Sequence, residues 1–162
     1  MADQTEAKSL DDLAYIQIPL ELFPCDLLPD NETVQDCIDT MRVLSDQKIV
    51  NLTGYSNTDL KLEYGAPNIR KLIAYDQNYT ILARTLQKWA TLLQSNGYAE
   101  EAIPMLEFAI STQSDVSATY HTLAEYYQSH GEKDKIQNLK DTAEELRSAM
   151  KPSIIHMLEA YA

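Results

Sequence analysis

Glycine, cysteine and histidine are scarce in this chain, and each shortage argues against a class of site. The 162 residues include four glycines, two cysteines and three histidines. Four glycines leave little material for the backbone loops that hold phosphate groups. Cys25 and Cys37 are too few for a disulfide framework and lack the spacing of a metal motif, so both are predicted to be reduced thiols. Because no GxSxG, HExxH or paired CxxC motif occurs, we predict no catalytic residues, no metal site and no cofactor.

Long apolar runs and an excess of basic charge are also missing. No stretch of eighteen or more apolar residues occurs, so no segment of this sequence is predicted to span a membrane. The 25 acidic and 13 basic residues give a net charge of −12, which opposes binding to the phosphates of nucleic acids. The N-terminal stretch MADQTEAKSLDD is polar and acidic and lacks the basic and apolar regions of a signal peptide. We therefore expect a cytoplasmic protein that does not bind nucleic acid.

A period of 34 residues is the strongest pattern that the sequence does contain. Residues 82–115 align with residues 116–149 at seven identical positions. The identical pairs are Thr85 and Thr119, Ala90 and Ala124, Gln94 and Gln128, Ser95 and Ser129, Gly97 and Gly131, Ala109 and Ala143, and Ser114 and Ser148. A period of this length is typical of proteins built from stacked repeats.

The aligned pattern resembles the tetratricopeptide repeat family, whose unit is a pair of antiparallel helices. The resemblance implies a mainly α fold, an α–α superhelix of helical hairpins, with repeats near residues 82–115 and 116–149. It places Ala90, Ala102 and Ala109 where helices cross closely, so that larger side chains would push the helices apart. Trp89 takes a core position of the first repeat rather than a place on a binding surface.

Turns, a cap and departures from the family pattern complete the predicted array. Gly97 and Gly131 are expected to end the first helix of each pair in a left-handed conformation. Pro152 is expected to open a capping helix over residues 152–161. In the second repeat, Lys140 stands where the family has a large packing residue, and we expect Leu139 to pack in its place. Ser114, Ser148 and Ile136 also depart from the family pattern.

Charge divides the chain into two predicted parts. Residues 1–64 hold 13 acidic and 4 basic side chains and form an acidic N-terminal segment, whereas residues 65–162 form the helical array. In the array, Pro67 is predicted to open a short helix, and a second helix is predicted to begin near Asp76 or Asn78. Just before the array, the alternation of Leu60, Leu62 and Tyr64 is typical of an extended segment.

The N-terminal segment is predicted to contain an extended arm and one helix. In NETVQDCIDTMRVL, Asn31 is a candidate N-cap, and Val34, Cys37, Ile38, Met41 and Val43 lie mostly on one side. In AYIQIPLELF, the apolar residues Ile16, Ile18, Leu20 and Leu22 alternate around Pro19, which predicts an edge strand or an extended arm. The arm either packs on its own chain and closes the N-terminal end of the array, or docks on another subunit.

The concave face implied by the resemblance is the candidate binding groove. The residues that the family's groove positions assign to it are Arg84, Gln87, Thr91, Gln94, His121, Glu125 and Gln128. Most of these side chains are polar and uncharged, which suits hydrogen bonding to an extended peptide or a helix. His121 and Glu125 share a helix face and could form an acid–base or ligand pair, but the sequence places no third ligand beside them.

Two functions from different classes follow from these patterns. The preferred one is a non-enzymatic protein–protein interaction module, an adaptor or scaffold that binds a protein segment through the groove. The alternative is a structural or assembly protein that forms a homodimer or larger homo-oligomer through its N-terminal arm. Since residues 1–64 contain no histidine, we do not predict an enzyme in that segment.

Overall fold

Seven α-helices and three short 3-10 helices build the part of the chain that this computed structural model describes, residues 7–162. No β-strand occurs in that range, so the predicted mainly α class is confirmed. The α-helices are α1 (Glu32–Leu44), α2 (Asn57–Tyr64), α3 (Ile69–Ser95), α4 (Ile103–Ser111), α5 (Ser117–Ser129), α6 (Lys133–Glu144) and α7 (Lys151–Leu158). The 3-10 helices are Leu10–Asp12, Leu20–Leu22 and Ala66–Asn68.

Helix α1 begins where the sequence predicts it. The Asn31 side chain accepts a hydrogen bond from the backbone N–H of Val34 at 3.0 Å, so it caps the helix as expected. The buried side consists of Val34, Cys37, Ile38, Met41 and Leu44. The sequence predicts Val43 on that side as well, but its side chain is 64% exposed, because it is two positions past Met41 and faces away from the core.

Helix α2 overturns the extended segment predicted for residues 60–64. The Ser56 hydroxyl accepts from the N–H of Asp59, and the Asp59 carboxylate accepts from the N–H of Ser56. This reciprocal pair is a capping box, which satisfies two backbone donors and starts a helix. Leu60 is buried, whereas Leu62 is 76% exposed. The two leucines therefore do not share one buried face, as alternate residues of a strand would.

Helix α3 is one continuous element of 27 residues, about 40 Å long. The predicted short helix after Pro67 and the helix predicted to begin near Asp76 or Asn78 are therefore joined. Pro67 lies in the 3-10 helix directly before α3, as a proline in a first helical turn does. No residue within 69–95 is a helix breaker, because that range holds neither glycine nor proline.

Each helix from α4 onward packs against its neighbours in the chain. Helix α4 contacts α3 and α5, α5 contacts α6, and α7 contacts both α5 and α6. Gly97 and Gly131 follow α3 and α5 with positive φ angles of 88° and 68°, as predicted. Pro152 lies in the first turn of α7, but this helix ends at Leu158 instead of the predicted residue 161.

The core contains the residues that the repeat pattern predicts. Trp89, Ala90 and Ala109 are buried, and Ala102 is buried just before α4 begins, where the prediction put it inside the second helix. Leu139 is buried as well, whereas Lys140 is half-buried and its Nζ donates to the backbone oxygen of Tyr161 at 2.7 Å. The expected exchange of packing roles between these two residues is confirmed.

The N-terminal arm lies against helices of its own chain. The side chains of Ile16, Ile18 and Leu20 pack against the main core, and Phe23 belongs to it. The backbone N–H of Ile16 donates to the oxygen of Ile49 at 2.9 Å, but no strand forms, and Leu20–Leu22 is a 3-10 helix. Together with α1, which packs on α3, the arm brings side chains from residues 1–64 into the same core as the helices after residue 65.

A cleft along helix α3 as the candidate binding site

The cleft that runs along α3 has a volume of about 770 Å³ and is the candidate functional site. Eight of the described lining residues come from α3, and the others come from the start of α1, the loop after Asn51 and the segment before α5. The lining consists of Thr33, Thr53, Tyr79, Thr80, Ala83, Arg84, Gln87, Lys88, Thr91, Leu92, Asp115 and Val116. A cleft of this size lies in the range that small ligands and peptide side chains occupy.

The structure brings only part of the predicted groove together. Arg84, Gln87 and Thr91 line the cleft. The other four predicted residues, Gln94, His121, Glu125 and Gln128, do not belong to its lining. Three of the four family positions on α3 therefore line the cleft, whereas Gln94 and the positions on α5 lie elsewhere.

Gln87 links the cleft to the second helical pair. Its Nε2 donates to Thr91 Oγ1 at 3.3 Å, and its Oε1 accepts from Thr119 Oγ1 at 3.1 Å. Thr119 is buried in α5, so this hydrogen bond fixes the side of α5 against α3. Both ends of the Gln87 amide are thus used inside the protein, which leaves the side chain as part of the cleft wall.

His121 and Glu125 form a pair at a different place. His121 Nε2 lies 3.3 Å from Glu125 Oε1, and the imidazole ring approaches Tyr161 edge-on at 6.3 Å between ring centroids. Tyr161 follows α7, so the C-terminal residues lie against this part of α5. Within residues 7–162, no group of three His, Cys, Asp or Glu side chains is arranged to hold a metal ion.

Charge in the cleft is sparse and mostly positive. Arg84 and Lys88 are exposed and lie one helical turn apart on α3. Asp115 is the only carboxylate among the described lining residues, and its Oδ2 accepts a hydrogen bond from Ser148 Oγ at 2.5 Å. Ala83, Leu92 and Val116 add apolar surface. Neither histidine nor cysteine is among the described lining residues.

Below the cleft, buried hydroxyls hold α3 against the end of α4. The Tyr79 hydroxyl lies 2.9 Å from Thr112 Oγ1, and burial raises the pKa of Tyr79 from its ordinary value of 10.0 to about 12. The Tyr120 hydroxyl donates to the backbone oxygen of Ser114 at 2.7 Å, and burial raises its pKa as well. These hydrogen bonds hold the α3 wall of the cleft against the segment between α4 and α5.

Sequence reasoning missed the cleft residues that come from outside α3. Thr33, Thr53 and Asp115 lie far apart in the chain, and only the fold brings them to one surface. Lys88 lies on α3 and was missed as well, although it is four positions after Arg84 and shares its helix face. That spacing is readable in the sequence, but the family's groove positions do not include Lys88.

Comparison with known proteins gives no relative for this chain: no protein-family model, curated protein or solved structure matches it. Within residues 7–162, no helix is both long enough and apolar enough to cross a bilayer.

Proposed function

We propose that this protein is a non-enzymatic interaction module, an adaptor or scaffold that holds a segment of a protein partner in the cleft along α3. In this proposal, α3 to α6 form two tetratricopeptide-like hairpins of a short superhelix, with α7 as the cap. The observation that carries it is the cleft itself, which has a volume of about 770 Å³, lies along a long helix and is lined in part by Arg84, Gln87 and Thr91.

Two features support binding of a chain segment rather than catalysis. The cleft offers the hydroxyl groups of Thr33, Thr53, Thr80 and Thr91 beside the apolar side chain of Leu92. A peptide presents backbone hydrogen-bonding groups and alternating side chains, and such a surface can satisfy both. The described lining holds neither a histidine nor a cysteine, the side chains that most readily act as base and nucleophile near pH 7.

A pair of tyrosine substitutions tests this proposal without changing the charge. Thr80 and Thr91 are exposed and line the cleft, so Thr80→Tyr with Thr91→Tyr fills it with two rings. The matched control is Gln77→Tyr with Ser95→Tyr, two exposed positions of α3 outside the lining. Wild type and control should capture the same partner from cells that make the protein, and the filled variant should not.

The result is interpretable only if all three proteins fold. Thermal unfolding followed by circular dichroism should give similar transitions, because all four substitutions are at exposed positions. Capture of the same proteins by the filled variant and by wild type would contradict a binding role for the cleft.

The alternative function, self-assembly through the N-terminal arm, receives less support. The arm's apolar side chains Ile16, Ile18 and Leu20 are partly covered by its own chain, which leaves less of their surface for another subunit. Leu22 remains 65% exposed on the arm. Solution mass from light scattering decides between a monomer and an assembly.

A further inference from the structure

The charge of α3 differs from that of the rest of the chain. The whole protein has a net charge of −12, yet α3 carries four basic residues and one acidic residue. These are Arg70, Lys71, Arg84, Lys88 and Asp76. The Asp76 carboxylate accepts a hydrogen bond from the backbone N–H of Leu52 at 3.0 Å, so it is already engaged. Helix α3 therefore carries a net charge of +3 on an acidic protein.

Arg84 and Lys88 bring this positive charge into the cleft. They lie four positions apart on α3, where like charges repel each other and destabilise a helix. Among the described residues, no carboxylate lies within 4.0 Å of either side chain. Two adjacent cations that have no carboxylate partner among residues 7–162, on the wall of a cleft, are complementary to carboxylates from outside.

We propose that the segment held in the cleft is acidic and extended, with two carboxylate side chains at alternate positions that bind Arg84 and Lys88. This inference rests on the proposed function. Four residues of α3 rise about 6 Å, and alternate residues of an extended chain are about 6.7 Å apart, so the two spacings match. Each carboxylate of an Asp-x-Asp or Glu-x-Glu sequence then meets one cation.

The rest of the lining sets requirements for the residues beside the two carboxylates. Ala83, Leu92 and Val116 accept apolar side chains from positions next to the acidic ones. Asp115 repels a carboxylate, so the residue that lies beside it is uncharged or basic. The preferred segment is therefore not uniformly acidic, which distinguishes it from general attraction to a polyanion.

A random peptide library displayed on phage tests the inference with the intact protein. Peptides of twelve residues are selected on wild type and counterselected on the Thr80→Tyr, Thr91→Tyr protein, which keeps Arg84 and Lys88. Only peptides that need an open cleft survive. Since the protein is strongly acidic, its overall charge disfavours acidic peptides, and their enrichment would have to come from local contacts.

The outcomes separate the inference from the function on which it rests. Enrichment of acidic residues at positions i and i+2 among cleft-dependent peptides supports the inference. Cleft-dependent peptides without that enrichment overturn the inference and leave the proposed function standing. Acidic pairs found only at the helical spacing i and i+4 overturn the inference of an extended segment. A selection that yields no cleft-dependent peptide overturns the inference and also counts against the proposed function.

Substitution of the two cations then locates the contact. Arg84→Gln with Lys88→Gln should weaken binding of a selected fluorescent peptide about tenfold, and the loss should shrink as salt rises from 50 to about 500 mM. The control is Arg70→Gln with Lys71→Gln, which makes the same charge change at exposed positions of the same helix outside the cleft. Equal weakening by both pairs would overturn the inference, because it would show only a general charge effect.

Discussion

Arg147 and Asn51 are 96 positions apart in the chain, yet Nη2 of Arg147 donates to the backbone oxygen of Asn51 at 3.1 Å. The Nε of the same guanidinium donates to the oxygen of Thr53 at 3.0 Å, and the guanidinium lies over the Tyr55 ring. The side chain of Asn51 in turn donates to the oxygen of Thr112 at 2.9 Å, at the end of α4. The loop after residue 50 thus joins the N-terminal segment to both helical pairs.

Gly54 of this loop lies against the backbone of Arg147, and we predict that Gly54→Ala destabilises the protein by about 3 kcal/mol. A Cβ at residue 54 would lie 2.5 Å from the Arg147 oxygen, and its φ of +91° is unfavourable for alanine. Urea unfolding measured by circular dichroism gives the change in free energy.

Gly97→Ala is the matched control for this collision. Its φ of +88° is nearly the same, but nothing lies within 4 Å of the added Cβ. Only the backbone strain remains, so we expect a loss of about 1 to 2 kcal/mol. Equal losses in the two variants would show that the approach of Arg147 to the loop is looser than the structure has it.

The small residues of the helical pairs give a second prediction. Ala90 is completely buried on α3, so Ala90→Leu should overpack the core and destabilise the protein by about 1 to 3 kcal/mol. Ala74→Leu is the control, because Ala74 is exposed on the same helix. It should change the free energy of unfolding by no more than about 0.5 kcal/mol. The close crossing inferred from the repeat pattern would be wrong if the protein tolerated Ala90→Leu as well as it tolerates Ala74→Leu.

These two predictions differ in how much of their basis the sequence carried. The resemblance to the tetratricopeptide repeat pattern placed Ala90, Gly97 and Leu139, because packing at helix crossings and turns demands small, flexible or large side chains at fixed positions. It could not indicate Gly54, since that glycine matters only through Arg147, 93 positions further along. Contacts of this kind depend on the path of the loop.

Local caps and long helices account for the other differences. The alternation of Leu60, Leu62 and Tyr64 suggested an extended segment, but the capping box of Ser56 and Asp59 starts a helix instead. Within the cleft, Arg84, Gln87 and Thr91 were predicted from the groove positions that the tetratricopeptide resemblance implies. Asp115 and Thr33 reach the same cleft from other elements, and His121 faces Tyr161 instead, which no periodicity shows.

Alkaline pH should weaken the fold through its buried tyrosines. Burial raises the pKa of Tyr79 from 10.0 to about 12 in the folded protein, while in the unfolded chain it stays near its ordinary value. Below pH 10 both states hold the proton and this stability is fully present. Between pH 10 and 12 only the unfolded state loses it, so stability falls by about 1.4 kcal/mol per pH unit from this group.

Tyr79→Phe isolates that contribution. The variant loses the hydrogen bond to Thr112 and should be about 1 kcal/mol less stable at pH 7. Its stability should fall less steeply than that of wild type between pH 10 and 12, as measured by urea unfolding at several pH values. Parallel curves for the two proteins across this range would mean that Tyr79 ionises equally easily in both states.

Phe23 and Leu22 are neighbours on the N-terminal arm with opposite surroundings. Substituting each one tests whether the arm packs on its own chain or holds two subunits together. Phe23 is buried, with its ring edge-on to Trp89 at 6.0 Å and tilted against Phe108 at 5.6 Å, whereas Leu22 is 65% exposed. We expect Phe23→Ala to lower the free energy of unfolding by about 3 to 5 kcal/mol. Leu22→Ala should change it by no more than about 0.5 kcal/mol.

Light scattering on the same two variants at several concentrations tests the arm as an assembly surface. If the arm serves only its own chain, the solution mass of the Leu22→Ala protein equals that of wild type at every concentration. If wild type is a dimer that Leu22→Ala converts to a folded monomer, the exposed side of the arm holds the subunits together. That result would favour assembly over segment binding, because the exposed side chain of Leu22 would then contact a second copy of the chain.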